Sequence, residues 1–156
     1  MNFINQMNLS FNAKSENEAF ARVAVASFLT QSDPTLSDIT DIKTAVSEAV
    51  TNAIIHGYES DTKQKVNIFC GICDDNTIYI EVEDKGRGIE NIEKAREPLY
   101  TSKPELERSG MGFTVMEMFM DSILVESVKG EGTKVIMTKK LNKISNLWGD
   151  NIGKNI

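Results

Sequence analysis

Glu48 and Asn52 are the pair of side chains whose types and spacing are best suited to chemistry. They are four residues apart in segment 47–57, which predicts a helix, so both project from one face with their β-carbons roughly 6 Å apart. A carboxylate in that position can take a proton or orient a nucleophile, and an amide oxygen suits Mg²⁺, which prefers hard oxygen ligands. This spacing is common on solvated helix faces. The functional interpretation of the pair therefore depends on motifs that follow in the sequence.

Asp84, Gly86 and Gly88 form a turn that can receive a flat base. Asp84 ends a predicted strand, where its carboxylate can accept a hydrogen bond from an exocyclic amine. Glycine has no side chain, which lets the backbone at Gly86 and Gly88 approach a ring closely. An ordinary tight turn is the alternative. The sequence has neither the G-x-x-x-x-G-K-[ST] pattern of a P-loop nor the third glycine and following acid of a dinucleotide-binding turn.

A second glycine turn, Gly110-x-Gly112, precedes another predicted helix. The first amide N–H groups of a helix have no partner within the helix and therefore attract phosphates. Lys103 and Arg108 lie in the preceding polar segment, 89–109, which we interpret as a lid able to close over a terminal phosphate. A plain helix entry and a solvated loop are the alternatives.

The elements that must position these residues form an α+β pattern. Alternating apolar and polar residues predict strands, and apolar residues that recur every three or four positions predict helices. The predicted strands are 2–11, 65–72, 77–83, 122–128 and 133–140, and the predicted helices are 15–31, 38–56 and 112–120. We therefore expect a two-layer α/β sandwich, in which helices cover one face of a mostly antiparallel sheet.

The first predicted helix carries three expectations. Ser15 and Glu18 match a capping box, in which each side chain would bond to the other's backbone N–H. Arg22 is either a solvated charge or an anchor for a partner protein. The inner face of the helix is predicted to consist of Phe20, Val23, Ala24, Ser27 and Phe28.

Length, charge and cysteine content bound the class of protein. A chain of 156 residues is expected to form one domain, 1–141, followed by a tail, 142–156, that is either frayed or docked on the domain. The formal net charge of −6 argues against a nucleic-acid surface. No signal peptide or membrane span is evident, so we expect a cytoplasmic protein. Cys70 and Cys73 are interpreted as two reduced thiols, since a zinc site would need a second pair.

Four motifs follow one another in the order Glu48-x-x-x-Asn52, Asp84-x-Gly86-x-Gly88, Gly110-x-Gly112 and Gly130-x-Gly132-Thr133. This order resembles the N, G1, G2 and G3 boxes of the Bergerat-fold ATPases, which include gyrase and the histidine kinases. Beyond the boxes, the sequence from 1 to about 141 is similar to the anti-sigma factors of endospore-forming bacteria, which are serine kinases of the same fold.

The resemblance implies a role for each box. In that family the residue matching Glu48 acts as base or orienter for the attacking group, and the residue matching Asn52 binds Mg²⁺ between the phosphates of ATP. It further implies that Asp84 recognises adenine N6 and that Thr133 supports the adenine through a water molecule. The lid would carry the contacts to the γ-phosphate.

The resemblance also implies protein partners. A family member holds a sporulation sigma factor inactive as a homodimer, and it phosphorylates one serine of an anti-anti-sigma factor. The unphosphorylated partner displaces the sigma factor. Two other interpretations stay open: a nucleotide-gated module that binds a partner without phosphotransfer, and a detached histidine-kinase catalytic domain.

Overall fold

Five strands form one antiparallel sheet in the part of the chain that the computed structural model describes, residues 1–98 and 112–141. The strands are β1 (Phe3–Asn12), β2 (Lys65–Cys73), β3 (Thr77–Asp84), β4 (Ser122–Val128) and β5 (Gly132–Lys140). The helices are α1 (Glu16–Leu29), α2 (Leu36–Asn52), α3 (Ile92–Ala95) and α4 (Gly112–Phe119), with a 3-10 turn at Thr30–Ser32 and a π-helical turn at Ala53–Gly57. The sheet order is β1-β2-β3-β5-β4.

One face of the sheet is buried and the other is open, as the alternation along β3 predicts. Ile78, Ile80 and Val82 are buried, whereas Tyr79 and Glu81 lie on the opposite face. Helices α1, α2 and α4 form the second layer, and α2 lies between the other two. The predicted α+β fold, an antiparallel sheet with helices on one face, is therefore confirmed.

Helix α2 begins at Leu36, two residues before the predicted start, because Thr35 caps it. The Thr35 side chain accepts a hydrogen bond from the backbone N–H of Asp38 at 3.1 Å, and Thr35 itself has extended backbone angles. The buried face of α2 consists of Asp38, Ile42, Ala45, Val46, Ala49 and Val50. The apolar residues of this predicted helix thus form one buried stripe from Ile42 to Val50.

Two expectations for α1 are wrong. Ser15 has helical backbone angles, and its side chain makes no capping hydrogen bond, because Ser15 already belongs to the turn that leads into the helix. The predicted inner face is wrong at Phe20 and Val23, which are 55% and 56% exposed, although Phe28 does pack against the core. The fully buried side chains of α1 are instead Ala21, Val25 and Leu29.

Sequence periodicity fails on α1 because apolar residues occur on both of its faces. Ala21, Val25 and Leu29 follow one another at four-residue spacing and form a continuous stripe. Small Ala21 allows α1 to approach its neighbours closely, whereas a face centred on Phe20 would hold the two layers further apart. The predicted end near residue 31 falls in the 3-10 turn that follows α1.

Strand β1 lies at one edge of the sheet, and it contains a bulge near its start. The pairing shifts between Phe3, which lies opposite Cys73, and Asn5, which lies opposite Ile72. The extra residue turns Phe3 to the open face of the sheet, where its ring contacts Phe69 with centroids 5.4 Å apart. The bulge explains why Phe3 lies on the open face although its position has the same odd parity as Met7, Leu9 and Phe11.

Cys70 and Cys73 are both buried free thiols, in agreement with the sequence interpretation. Burial raises the pKa of the Cys70 thiol to about 12, so this sulfur stays protonated and unreactive at neutral pH. Among the described residues, no helix has the length and apolar character needed to cross a membrane.

Candidate nucleotide-binding site

A cleft of about 900 Å³ opens where the end of α2 meets the end of β3, the start of β5 and the start of α4. Its volume lies within the range of roughly 300–1,000 Å³ found for small-molecule sites. The described residues that line it include Asn52, His56, Asp84, Gly88, Gly112 and Thr133. The structure therefore brings residues from all four sequence motifs into contact with one cavity.

Asp84 is a buried carboxylate at the inner wall of the cleft. Its side chain lies at the last β3 position, opposite Thr133 of β5, and only 4% of the residue is exposed. Its Oδ1 accepts a hydrogen bond from the backbone N–H of Gly86 at 2.9 Å. Burial is the largest effect on the pKa of Asp84 and raises it to about 6. Hydrogen bonds from the backbone at Gly86 and Thr133 act in the opposite direction but are weaker than the effect of burial. The carboxylate is thus held in place and can still accept a hydrogen bond from a ligand.

The glycines next to Asp84 have close protein neighbours of their own. A β-carbon on Gly86 would lie 1.9 Å from the carbonyl oxygen of Gly57, and one on Gly57 would lie 2.6 Å from the Asp84 carboxylate. Gly88 has a φ of +74°, and a β-carbon there would lie 2.3 Å from the carbonyl oxygen of Val128. Three backbone segments meet behind the cleft. Glycine is therefore needed at these positions for close packing within the protein, in addition to any close approach to a ligand.

Glu48 and Asn52 meet the first residue of α4. A β-carbon on Gly112 would lie 3.1 Å from Asn52 Nδ2 and 3.3 Å from Glu48 Oε2. The predicted spacing therefore does place both side chains on one face of α2, and that face is turned toward the N-terminus of α4. The leading N–H groups of a helix attract anions. A carboxylate, an amide and a helix end suited to an anion therefore lie together at this point.

Thr133 and Ser127 form a small hydroxyl network on the β4–β5 side of the cleft. Their Oγ atoms are 2.8 Å apart, and Ser127 Oγ donates to the carbonyl oxygen of Gly132 at 3.0 Å. Ser127 also accepts the backbone N–H of Ile89 at 2.7 Å, which attaches the turn after Gly88 to β4. Sequence reasoning missed Ser127, because a lone serine in a strand carries no motif.

A π-helical turn links α2 to the wall of the cleft, and the sequence did not predict it. The backbone N–H of Tyr58 donates to the carbonyl oxygen of Ala53 at 3.0 Å, five residues earlier. Arg87 then ties this turn to the segment after β3, because its Nε donates to the carbonyl oxygen of His56 at 2.8 Å. The backbone N–H of Arg87 donates to the carbonyl oxygen of Gly57 at 2.9 Å.

Several predicted residues do not belong to the described cleft. Lys103, Arg108 and Gly110 lie outside the described residues, as does the tail 142–156. Arg22 is on α1, where it forms an ion pair with Glu18 at 2.9 Å, and it does not line the cleft. The short helix α3 lies within the described part of the segment interpreted as a lid.

The fold and the cleft together place the chain in a known class of nucleotide-using domains. The family model described as a histidine kinase-like ATPase domain matches residues 11–139. A solved structure of the RsbU and RsbW domains of a Mycobacterium tuberculosis protein has the same fold, with a TM-score of 0.65 and 21% sequence identity. That match covers 88% of this chain, which spans about a third, 32%, of the mycobacterial chain.

Curated relatives narrow the class to one family. An anti-sigma F factor of Clostridium perfringens is 69% identical over 138 residues, which are 88% of this chain and 98% of the relative. Anti-sigma F factors of Clostridium acetobutylicum and Oceanobacillus iheyensis are 68% and 60% identical, and they cover 87% and 92% of this chain. These alignments span 94% and 98% of the two relatives. The chain therefore belongs to the anti-sigma F factors, within the histidine kinase-like ATPase domains.

Proposed function

We propose that this protein is an ATP-dependent protein-serine kinase that also binds and inhibits a sporulation sigma factor. The observation that carries the proposal is the meeting of Glu48, Asn52 and Gly112 at the start of α4. A positioned carboxylate, a hard oxygen ligand and a helix N-terminus are the groups that phosphoryl transfer needs, since it depends mainly on positioning and charge stabilisation. The names of the relatives support the inhibition of a sigma factor.

The residues of the cleft fit ATP with its base at Asp84 and its phosphates at α4. The Asp84 carboxylate would accept a hydrogen bond from the adenine amino group, and Thr133, on the adjacent strand, would support the base through a water molecule. The N–H groups that follow Gly112 would receive the phosphates. Gly110, Lys103 and Arg108 would complete the phosphate contacts from the lid.

Asn52 fits a magnesium ion because its amide oxygen is a hard ligand and lies beside the helix end that would hold the phosphates. Bound there, Mg²⁺ would neutralise part of the charge on the phosphate oxygens during transfer. Glu48 would orient the hydroxyl of the incoming serine and take its proton, since its Oε2 is turned toward the same helix end.

The serine hydroxyl would come from a second protein, an anti-anti-sigma factor. We further propose that the chain works in the cytoplasm as a homodimer and that Arg22, on the surface of α1, contacts a partner. Phosphorylation of the anti-anti-sigma factor would keep the sigma factor bound, and the unphosphorylated form would displace it. No direct contact with nucleic acid or with a membrane is part of this proposal.

The test is a transfer assay with the intact chain, Mg-ATP labelled at the γ-phosphate, and the anti-anti-sigma protein of the same genome. We expect acid-stable label on the partner and none retained on the kinase. Acid-labile label on a partner histidine would favour a histidine-kinase domain instead. Nucleotide binding that changes the affinity for the partner without any phosphoprotein would favour a gated binding module. A transcription assay with the sigma factor and RNA polymerase checks inhibition separately.

A further inference from the structure

Tyr58 lies directly behind the turn that carries Asp84, and its hydroxyl joins two separate segments of backbone. The hydroxyl donates to the carbonyl oxygen of Lys65 at 2.6 Å and accepts the backbone N–H of Lys85 at 2.6 Å. The residue is only 8% exposed, so both hydrogen bonds lie in a mostly dry environment. We propose that Tyr58 is a positioning residue for recognition of the 6-amino group of adenine, a role that rests on the proposed contact between Asp84 and the base.

The path from Tyr58 to Asp84 is short and consists of fixed hydrogen bonds. Asp84 is the last paired residue of β3, so Lys85 lies one position beyond the β3–β5 ladder, and Tyr58 supplies the acceptor for its N–H. The next residue, Gly86, donates its N–H to Asp84 Oδ1 at 2.9 Å. The hydroxyl of Tyr58 therefore fixes the backbone that in turn fixes the orientation of the Asp84 carboxylate.

The π-helical turn explains how Tyr58 reaches this position. A π-turn inserts one residue relative to an α-helix, and in a helix each residue turns the chain by about 100°. The Tyr58 N–H closes this turn on the carbonyl oxygen of Ala53, directly after Asn52. The same segment thus presents Asn52 to the phosphate end of the cleft and Tyr58 to the back of the base end.

Removal of the hydroxyl should loosen this arrangement without removing the ring. Tyr58→Phe leaves the carbonyl oxygen of Lys65 and the N–H of Lys85 without their buried partner, and unsatisfied buried groups are costly. The Lys85 backbone would then shift to find another partner, and Asp84 would follow it. The expected result is a loss of selectivity for the 6-amino group of adenine, whereas contacts with the phosphates at α4 stay intact.

The test compares the binding of two nucleotides by calorimetric titration of the intact chain. One is ATP, and the other is purine riboside triphosphate, which lacks only the 6-amino group. We expect Tyr58→Phe to weaken ATP binding about fivefold and to change binding of the analogue by less than about twofold. Tyr79→Phe is the matched control, because it removes a hydroxyl from a tyrosine of β3 that bonds to Glu81 on the open face of the sheet. The control should bind both nucleotides like the unsubstituted chain.

Two results would overturn the proposal. Equal weakening of both nucleotides would mean that Tyr58 only stabilises the fold, and unchanged ATP binding would mean that it has no role in the site. Asp84→Asn tests the contact of Asp84 with the 6-amino group apart from the positioning role of Tyr58. If the unsubstituted chain does not prefer ATP over the analogue, the proposed role of Asp84 fails first and the role of Tyr58 fails with it.

Two further measurements sharpen the test, and the second needs no substitution, so it applies even if Tyr58→Phe is unstable. In the Asp84→Asn background, addition of Tyr58→Phe should weaken ATP binding no further, because the group it positions is already altered. In the unsubstituted chain, hydrogen exchange should show a protected Lys85 amide, since its partner is the buried hydroxyl. A freely exchanging Lys85 amide contradicts the proposal without any substitution.

Discussion

The two ends of the cleft are built in different ways. At the base end, backbone segments lock together: Gly57 touches Gly86, Gly88 touches Val128, and the Tyr58 hydroxyl joins Lys65 to Lys85. At the phosphate end, side chains from α2 face the start of α4 across a gap between two elements. The base end is therefore part of the folded framework, and the phosphate end is a surface on which reacting groups are placed.

This difference predicts two kinds of substitution. A change at the base end should alter the free energy of unfolding together with nucleotide affinity, because the same contacts serve both. A change at Glu48 should alter the rate of transfer with little effect on stability or binding. The following substitutions test that separation, beginning with the largest effect on stability.

Gly86→Ala should be the most damaging change at the base end. Its β-carbon would lie 1.9 Å from the carbonyl oxygen of Gly57, and two backbones would have to separate. We expect a loss of about 3 kcal/mol in the free energy of unfolding, measured with urea. Gly130→Ala is the matched control, since nothing lies within 4 Å of its β-carbon position and its φ of +82° alone should cost about 1 kcal/mol. Equal losses would contradict the interlocked base end.

Asp84→Asn should stabilise the protein at neutral pH while it weakens ATP binding. Burial raises the pKa of Asp84 to about 6, so its contribution to stability is complete below about pH 4 and is lost as the pH rises through about 6. An asparagine does not ionise, so the free energy of unfolding at pH 8 should rise by about 3 kcal/mol, and the gain should shrink toward pH 4. Urea unfolding at pH 4, 6 and 8 checks this. A gain independent of pH would show that the charge is not its cause.

ATP binding by the unsubstituted chain should follow the same ionisation. The ionised carboxylate accepts the hydrogen bond from the adenine amino group, so affinity should fall as the pH decreases through about 6. Titrations between pH 5 and 8 measure this fall, with purine riboside triphosphate as the comparison ligand. An equal fall for the analogue would assign the effect to another group.

Arg22→Ala should have the smallest effect on the chain itself. Arg22 pairs with Glu18 four residues earlier on the partly exposed surface of α1, and such pairs contribute about 0.5 kcal/mol or less. Stability and ATP affinity should therefore remain nearly unchanged. Binding to the sigma factor or the anti-anti-sigma factor should weaken if Arg22 contacts a partner, and a pull-down with each purified partner distinguishes them. Unchanged binding to both would remove Arg22 from the proposed interface.

The sequence predicted the parts of the molecule whose residues repeat at a fixed spacing. Alternation gave the strands, and the spacing of Glu48 and Asn52 correctly placed both side chains on one face of α2. The buried face of α1 could not be predicted in the same way, because the helix has apolar residues on both of its faces. Only its packing against the rest of the fold shows that Ala21 and Val25 are buried.

The contacts behind the site could not be predicted because they join residues that carry no common pattern. The sequence identifies Gly86 as a glycine of a turn, but it does not reveal that the neighbour of Gly86 is Gly57. The π-turn has no periodic signature, and without it the position of Tyr58 cannot be inferred. Ser127 and Arg87 were missed for the same reason, since their partners are backbone atoms of distant segments.

The most direct test of the account is a single-turnover measurement of phosphate transfer by Glu48→Gln, with ATP affinity titrated in parallel. Glutamine keeps the size of the side chain and its hydrogen-bonding capacity but cannot take a proton. We expect the transfer rate to the anti-anti-sigma factor to fall by about 10²–10⁴-fold while ATP affinity changes by less than about threefold. Transfer at the unsubstituted rate would contradict the assignment of chemistry to the phosphate end of the cleft.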